Sequence, residues 1–88
     1  MRSIVVHELK TVNPWFDDIW EFRKEFEIRN NDREFSQGDL LQLREYDIGT
    51  NEYSGRELTC EVTYFPRGIA GLLPGYVVMG IRIIRRIA

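Results

Sequence analysis

A cluster of charged residues in the first third of the chain has the types and spacing of an anion-binding site. Lys24, Glu27 and Arg29 lie in one short segment. In a cleft, Arg29 would bind a phosphate or a base edge with its forked guanidinium, and Lys24 would supply a mobile positive charge. Glu27 would accept hydrogen bonds from a base or orient the two cations. The alternative is a solvated ladder of ion pairs, which contributes little stability.

The same segment has the alternation of a β-strand. On a strand, neighbouring side chains point to opposite faces. The pattern therefore predicts that Phe26 and Ile28 face a core. It places the charged residues on the opposite face, namely Glu25, Glu27 and Arg29. Lys24 precedes the strand, and its long side chain could reach that charged face.

Five further residues are candidates for the same site. Trp15 could stack on an unpaired base, because aromatic rings bind bases through their faces, or it could be a hydrophobic lid. His7 could hydrogen-bond a ligand together with Lys10, or it could be a half-buried structural imidazole. Arg33 lies in a polar loop beside the proposed site. Tyr46 lies on the outward side of a predicted strand, from which it could line the same cleft.

The chain lacks the residue spacing of the common metal sites. His7 is its only histidine and Cys60 its only cysteine, so the sequence excludes an internal disulfide and a zinc-binding cysteine pair. Cys60 occupies an apolar position in an alternating stretch, which predicts a buried and inert thiol. We expect neither a metal nor an organic cofactor.

Length and composition predict one folded domain over residues 1–88. With 43% hydrophobic and 30% charged residues, the chain can bury enough apolar surface to fold. The formal net charge of −2 argues against a nonspecific nucleic-acid binder, so phosphate contacts must come from local clusters. The apolar run at the N-terminus is too short for a signal peptide, and no stretch could span a bilayer. These features predict a cytoplasmic protein without membrane association.

A second basic cluster lies near the C-terminus, where Arg82, Arg85 and Arg86 alternate with isoleucines. This segment could extend a strand that pairs with a second chain, which would give a weak homodimer. The arginines could instead contact phosphates. The remaining alternative is a solvated strand end.

The predicted order of elements is a strand, a helix and four more strands. The predicted bounds are 4–10 for the first strand, 14–22 for the helix, and 25–29, 40–46, 57–64 and 76–84 for the other strands. Asn13 and Pro14 signal the start of the helix. A polar turn at 30–33, a Gly38-Asp39 turn and loops at 47–55 and 65–75 separate the strands.

Two of these strands have informative patterns. In the strand at 57–64, the residues predicted to face the core are Leu58, Cys60, Val62 and Tyr64. The last strand is apolar on both faces, which predicts a position inside the sheet. Together the elements predict a mainly β, α+β fold with one or two short helices. A small mixed or antiparallel β-barrel with one helix covering an end would protect the apolar face of such a sheet.

Six segments carry a resemblance to a known family: HELK at 7–10, NPWFDDIW at 13–20, RKEFEIR at 23–29, NDR at 31–33, GDLLQLREYD at 38–47 and PGYVVMGI at 74–81. In these segments the chain resembles the ASCH domain (activating signal cointegrator homology) of the PUA-like superfamily. Within that group it is most similar to a short bacterial and phage family of unknown function. The resemblance implies a PUA-like β-barrel, with a cleft between the helix and the barrel that binds RNA or a modified nucleoside.

Some proteins of that group are small amidohydrolases that act on N4-acetylcytidine with a lysine, a threonine and a glutamate. The resemblance aligns the family lysine with Lys24 and the motif arginine with Arg29, but it aligns the threonine with Glu27. The family glutamate comes from the segment corresponding to residues 65–75, which contains no acidic residue in this chain. These departures argue against hydrolase activity.

We therefore predict a domain that binds RNA or a modified nucleotide rather than an enzyme. One alternative is a small amidohydrolase acting on an acylated nucleoside, with Lys24 as nucleophile or base and Glu27 assisting. Another alternative is a protein-interaction module that uses the C-terminal strand.

Overall fold

The computed structural model describes residues 3–88 and places five strands and one helix in this part of the chain. The elements are β1 (Val6–Thr11), α1 (Trp15–Trp20), β2 (Phe26–Asn30), β3 (Leu40–Asp47), β4 (Glu52–Tyr64) and β5 (Tyr76–Ile87). The predicted order of a strand, a helix and four strands is confirmed.

The five strands form one curled sheet in the order β1-β3-β4-β5-β2. β1 runs parallel to β3, and the other neighbouring strands are antiparallel. The sheet is therefore mixed, and it forms a half-barrel with β1 and β2 at its two edges. The prediction of a mainly β fold with a short helix is confirmed, and β5 lies inside the sheet as its apolar pattern predicted.

The core lies on the concave face of this half-barrel. Its fully buried residues come from α1, β3, β4 and β5: Phe16, Ile19, Leu41, Leu43, Leu58, Cys60, Val62 and Met79. The alternation predicted for β4 is thus confirmed, with one exception. Tyr64 is exposed because the pairing of β4 with β5 shifts register between Val62 and Tyr64, so the prediction that Tyr64 faces the core is wrong.

Several element boundaries differ from the predicted ones. The helix covers only Trp15–Trp20, and Phe22 has a positive φ of 62° that no longer fits a helix. β4 begins at Glu52 rather than at residue 57, because β3 and β4 continue as a hairpin with Tyr46 opposite Tyr53. β1 begins two residues later than predicted, and β5 continues to Ile87. These ends depend on cross-strand pairing, which local sequence does not encode.

The Gly38-Asp39 turn fixes the start of β3. Gly38 has a φ of +91°, a conformation that glycine adopts without strain, and Asp39 accepts a hydrogen bond from the Ser36 amide at 3.0 Å. Asp39 is fully buried and also contacts His7 of β1 at 2.8 Å. The turn therefore ties the two parallel strands together, as an architectural element.

Within residues 3–88, no helix has the length and apolar character required to cross a membrane.

Candidate functional site

Two arginines bridge the gap between the two edges of the half-barrel. In the part of the chain that the structure describes, β1 pairs only with β3, and β2 pairs only with β5. From the β2 side, Arg29 Nη1 donates to the Lys10 carbonyl and Arg29 Nη2 to Thr11 Oγ1, each at 3.1 Å. Arg33 Nη1 donates to the Glu8 carbonyl at 3.1 Å. Guanidinium groups thus take the place of a strand ladder along this seam.

Glu27 points into the half-barrel beneath this seam. Glu27 is only 3% exposed. Each of its two carboxylate oxygens accepts a hydrogen bond from a cationic side chain. Lys24 Nζ donates to Oε1 at 3.1 Å, and Arg29 Nε donates to Oε2 at 2.9 Å. Burial of a carboxylate is costly unless it is paired and hydrogen-bonded, and here both conditions hold.

The strand phase predicted for this segment is wrong. Phe26 and Ile28 do not face the core: they are 44% and 47% exposed, while Glu27 is buried. The inversion has a physical reason, because Lys24 and Arg29 compensate the buried carboxylate and so remove the main penalty of turning it inward. The apolar pair is then left on the outside of an edge strand, where it contributes to a cavity.

The larger cavity at the seam has a volume of about 660 Å³ and lies between α1, the end of β1 and β2. Its apolar lining includes Trp15, Phe26 and Ile28. Its polar lining consists of Lys10, Thr11, Asp18, Arg23, Lys24, Glu27 and Arg29. We call it the aromatic cavity, because it is lined by Trp15 and Phe26, each of which is about half exposed.

A second cavity of about 400 Å³ lies on the other side of the Arg29 bridge. We call it the arginine cavity, because its lining includes Arg29, Arg33 and Arg44. It also contains Lys10 and Tyr53. Lys10 and Arg29 line both cavities, so the two spaces are adjacent.

The structure brings most of the predicted site residues together. Lys10, Trp15, Lys24, Glu27 and Arg29 line the aromatic cavity, and Arg33 lines the arginine cavity.

Two predicted site residues lie apart from these cavities. Among the described side chains, His7 is buried against Asp39 and the Phe35 ring, which matches the structural alternative for this histidine. Tyr46 lines a smaller pocket, where its ring lies 4.5 Å from Lys10 Nζ and its hydroxyl donates to Asn51. Lys10 is the link between Tyr46 and the cleft.

A second charged cluster was not predicted from the sequence. Arg56 of β4 donates to Glu45 of β3 through Nε at 2.9 Å and through Nη2 at 2.6 Å, and Nη2 also contacts Asp17 of α1. The guanidinium lies 5.1 Å from the Phe16 ring and 5.0 Å from the Trp20 ring. The cluster therefore anchors α1 to the sheet. No local spacing signals it, because its members lie far apart in the chain and Arg56 precedes the strand predicted at 57–64.

Electrostatics within this second cluster are strong. The hydrogen bond from Arg56, helped by bonds from Ser54 and Asn13, lowers the pKa of Glu45 to about 2 in spite of its burial. The same pairing with Glu45, and then with Asp17, raises the pKa of Arg56. Both groups are consequently charged at all pH values near neutrality.

Cys60 behaves as the sequence predicted. It is fully buried, and burial, reinforced by the nearby Glu27 charge, raises the pKa of the thiol to about 12. A thiol of this kind is a poor nucleophile because the thiolate is the reactive form. Among residues 3–88, no three histidine, cysteine or acidic side chains are placed to hold a metal ion.

The chain is similar to one described protein family and to one phage protein. The sequence profile of a family described as a domain of unknown function (DUF3850) matches residues 6–81, a range that includes every residue lining the two cavities. The chain is 34% identical over 58 residues to a protein of Escherichia phage P2 named "Uncharacterized 12.9 kDa protein in GpA 3'region". The match covers 66% of this chain and 51% of the phage protein, so the chain spans about half the length of that relative.

Proposed function

The chain belongs to the DUF3850 family, and we propose that it binds RNA or a modified nucleotide in the aromatic cavity. One observation carries this proposal: the exposed rings of Trp15 and Phe26 share one cavity with the cations Lys24 and Arg29. Rings that present a face to solvent bind unpaired bases by stacking, and adjacent cations bind the phosphate.

The ion pairs of the cavity suit a binding role. Arg29 has five N–H donors, and its contacts to the described residues use three of them, which leaves two for a phosphate or a base edge. Glu27 holds Arg29 and Lys24 in place before a ligand arrives. Such preorganisation lowers the entropic cost of binding.

We also propose that the half-barrel is a PUA-like barrel of the ASCH type. The segment at 23–29, which carries much of the resemblance, supplies Lys24, Glu27 and Arg29 to the cavity. The segment at 38–47 forms the turn and the strand beside β1. The resemblance and the cavity thus depend on the same segments, which supports a ligand cleft between α1 and the barrel.

The amidohydrolase alternative has less support from the geometry. Lys24 Nζ donates to the Phe26 carbonyl at 2.8 Å as well as to Glu27 at 3.1 Å. A lysine nucleophile must reach its substrate with this nitrogen, whereas the two acceptors hold Nζ in place. Glu27 also occupies the position that aligns with the family threonine, which is a second argument against the amidohydrolase.

The proposal can be tested by fluorescence anisotropy with a labelled pool of single-stranded RNA, at low and at moderate salt. We expect saturable binding that weakens with salt, because phosphate contacts release counterions. Arg29→Ala and Lys24→Ala should each weaken binding strongly. Arg85→Ala is the matched control. Arg85 is an exposed arginine on β5, and it lines neither the aromatic cavity nor the arginine cavity. No binding, or equal binding by all four proteins, would overturn the proposal.

A further inference from the structure

We propose that the ligand is a single strand of at least two nucleotides rather than a free nucleotide, with one base in the aromatic cavity and the next in the arginine cavity. This inference rests on the proposed function and defines its substrate class. It follows from the two cavities being adjacent and from the chemistry of the side chains between and beyond them.

The boundary between the cavities has the chemistry of a phosphate site. Lys10 and Arg29 are the two residues that line both spaces, and both are cations. A phosphodiester joins the sugars of two neighbouring nucleosides, so with their bases in adjacent cavities it would lie near the boundary between these cavities. The shared cations are therefore placed where a connecting phosphate would be, while the aromatic cavity holds one of the two bases.

The arginine cavity contains a stacking surface for the second base. Arg44 Cζ lies 3.8 Å from the centroid of the Tyr53 ring, so the guanidinium covers one face of that ring. Two carboxylates hold this guanidinium: Arg44 Nη1 lies 3.0 Å from Glu8 Oε1, and Arg44 Nε lies 3.6 Å from Glu57 Oε2. Guanidinium planes serve as stacking surfaces for unpaired bases in the same way as aromatic rings do. The Arg44–Tyr53 stack thus has a flat cationic surface fixed in position before binding.

Arg33 lines the same cavity and would contact a further phosphate of the strand. Its Nη1 donates to the Glu8 carbonyl, while the residue as a whole is exposed. The arginine cavity contains four cations, Lys10, Arg29, Arg33 and Arg44, and two acids, Glu8 and Asp32. This excess of positive charge suits a polyanionic strand and is more than a neutral nucleoside requires.

The test compares a nucleoside monophosphate with RNA oligonucleotides of two, three and four residues, by isothermal titration calorimetry at constant salt. We expect the dinucleotide to bind at least about tenfold more tightly than the monophosphate, since the second stacked base adds to the affinity. Arg44→Leu should remove this gain, because it removes the stacking surface for the second base. Arg33→Ala serves as a second variant that does not disturb the Arg44–Tyr53 stack, and Arg85→Ala is again the control.

The outcomes separate the two proposals. If the monophosphate and the oligonucleotides bind equally well, or if a gain with chain length persists in both Arg44→Leu and Arg33→Ala, the two-cavity inference is wrong while the proposed function stands. If neither ligand binds, both are wrong. A gain with chain length that disappears in Arg44→Leu or Arg33→Ala but persists in Arg85→Ala supports the inference.

Discussion

Glu27 and Glu45 are both carboxylates paired with arginine inside this small sheet, yet their surroundings differ. Glu45 shares Arg56 with Asp17, and the Arg56 guanidinium lies against the rings of Phe16 and Trp20. Glu27 is paired with Lys24 and Arg29, and both of these cations also line a cavity.

Charge pairing alone therefore does not distinguish a cluster that holds the fold together from a candidate binding site. In the Glu45 cluster, the cation of β4 contacts a carboxylate of β3, a carboxylate of α1 and two rings of α1, so its interactions join elements of the fold. In the Glu27 cluster, the cations lie between the carboxylate and an open space, so some of their hydrogen-bonding capacity faces outward. Substitutions should therefore affect stability in the first cluster and affinity in the second.

The largest effect is expected for Arg56→Ala. The change leaves Glu45 and Asp17 without their cation and uncovers two rings, which should lower the free energy of unfolding by about 3 kcal/mol. Urea denaturation of the variant measures this loss, and RNA affinity per folded molecule should not change. A loss no larger than that of Arg85→Ala would contradict the structural role of the cluster.

The Glu45 cluster should also make the free energy of unfolding depend on pH in the acid range. The hydrogen bond from Arg56 lowers the pKa of Glu45 to about 2 in the folded protein, from the ordinary value of 4.5 that applies to the unfolded chain. The unfolded chain therefore binds the proton more readily. The stabilisation is therefore complete above pH 4.5 and is lost as the pH falls toward 2, with an upper limit of about 3 kcal/mol. Urea denaturation at several pH values should show a smaller acid loss in Glu45→Gln. Identical slopes for the two proteins would refute this assignment.

A substitution in the Glu27 cluster should change the affinity for RNA. Arg29→Lys retains the charge but loses the planar fork that contacts Glu27, Lys10 and Thr11, so RNA affinity should fall by about 2 kcal/mol. Anisotropy titration measures the change, and urea denaturation checks the fold. Wild-type affinity in Arg29→Lys would mean that the charge alone matters and that the fork geometry does not.

The smallest effect concerns the exposed rings. Trp15→Leu removes a stacking surface and should weaken RNA binding by about 1 kcal/mol with little loss of stability, because Trp15 is 52% exposed. Phe22→Leu is a suitable control, since Phe22 is an exposed ring that lines neither of the two seam cavities. Equal effects of Trp15→Leu and Phe22→Leu on affinity would argue against stacking in the aromatic cavity.

Much of the fold was predictable because its signals are local. Alternation at residues 57–62 identified the buried face of β4, and Asn13 marked the start of α1 through its bond to the Asp17 amide. The polar turn at 30–33 and the Gly38-Asp39 turn were also predicted. The extra length of β4 was not predictable, because residues 52–56 become a strand only by pairing with β3.

The candidate site was predictable in its residues but not in its geometry. Lys24, Glu27 and Arg29 are indeed in contact, because they are only a few residues apart. Periodicity placed Phe26 and Ile28 in the core, since the pattern treats a carboxylate as an outward residue. The rule failed here because two cations compensate Glu27 inside the half-barrel.

The sequence by itself determined the order of the elements, the turns and the contact of Glu27 with Lys24 and Arg29, because each depends on residues close together in the chain. Only the tertiary structure decided which face of β2 points inward, how Arg29 and Arg33 bridge β1 and β2, and that Arg56 joins Glu45 to Asp17. These features depend on the compensation of charge between distant segments, and that compensation exists only once the sheet has curled and brought its two edges together.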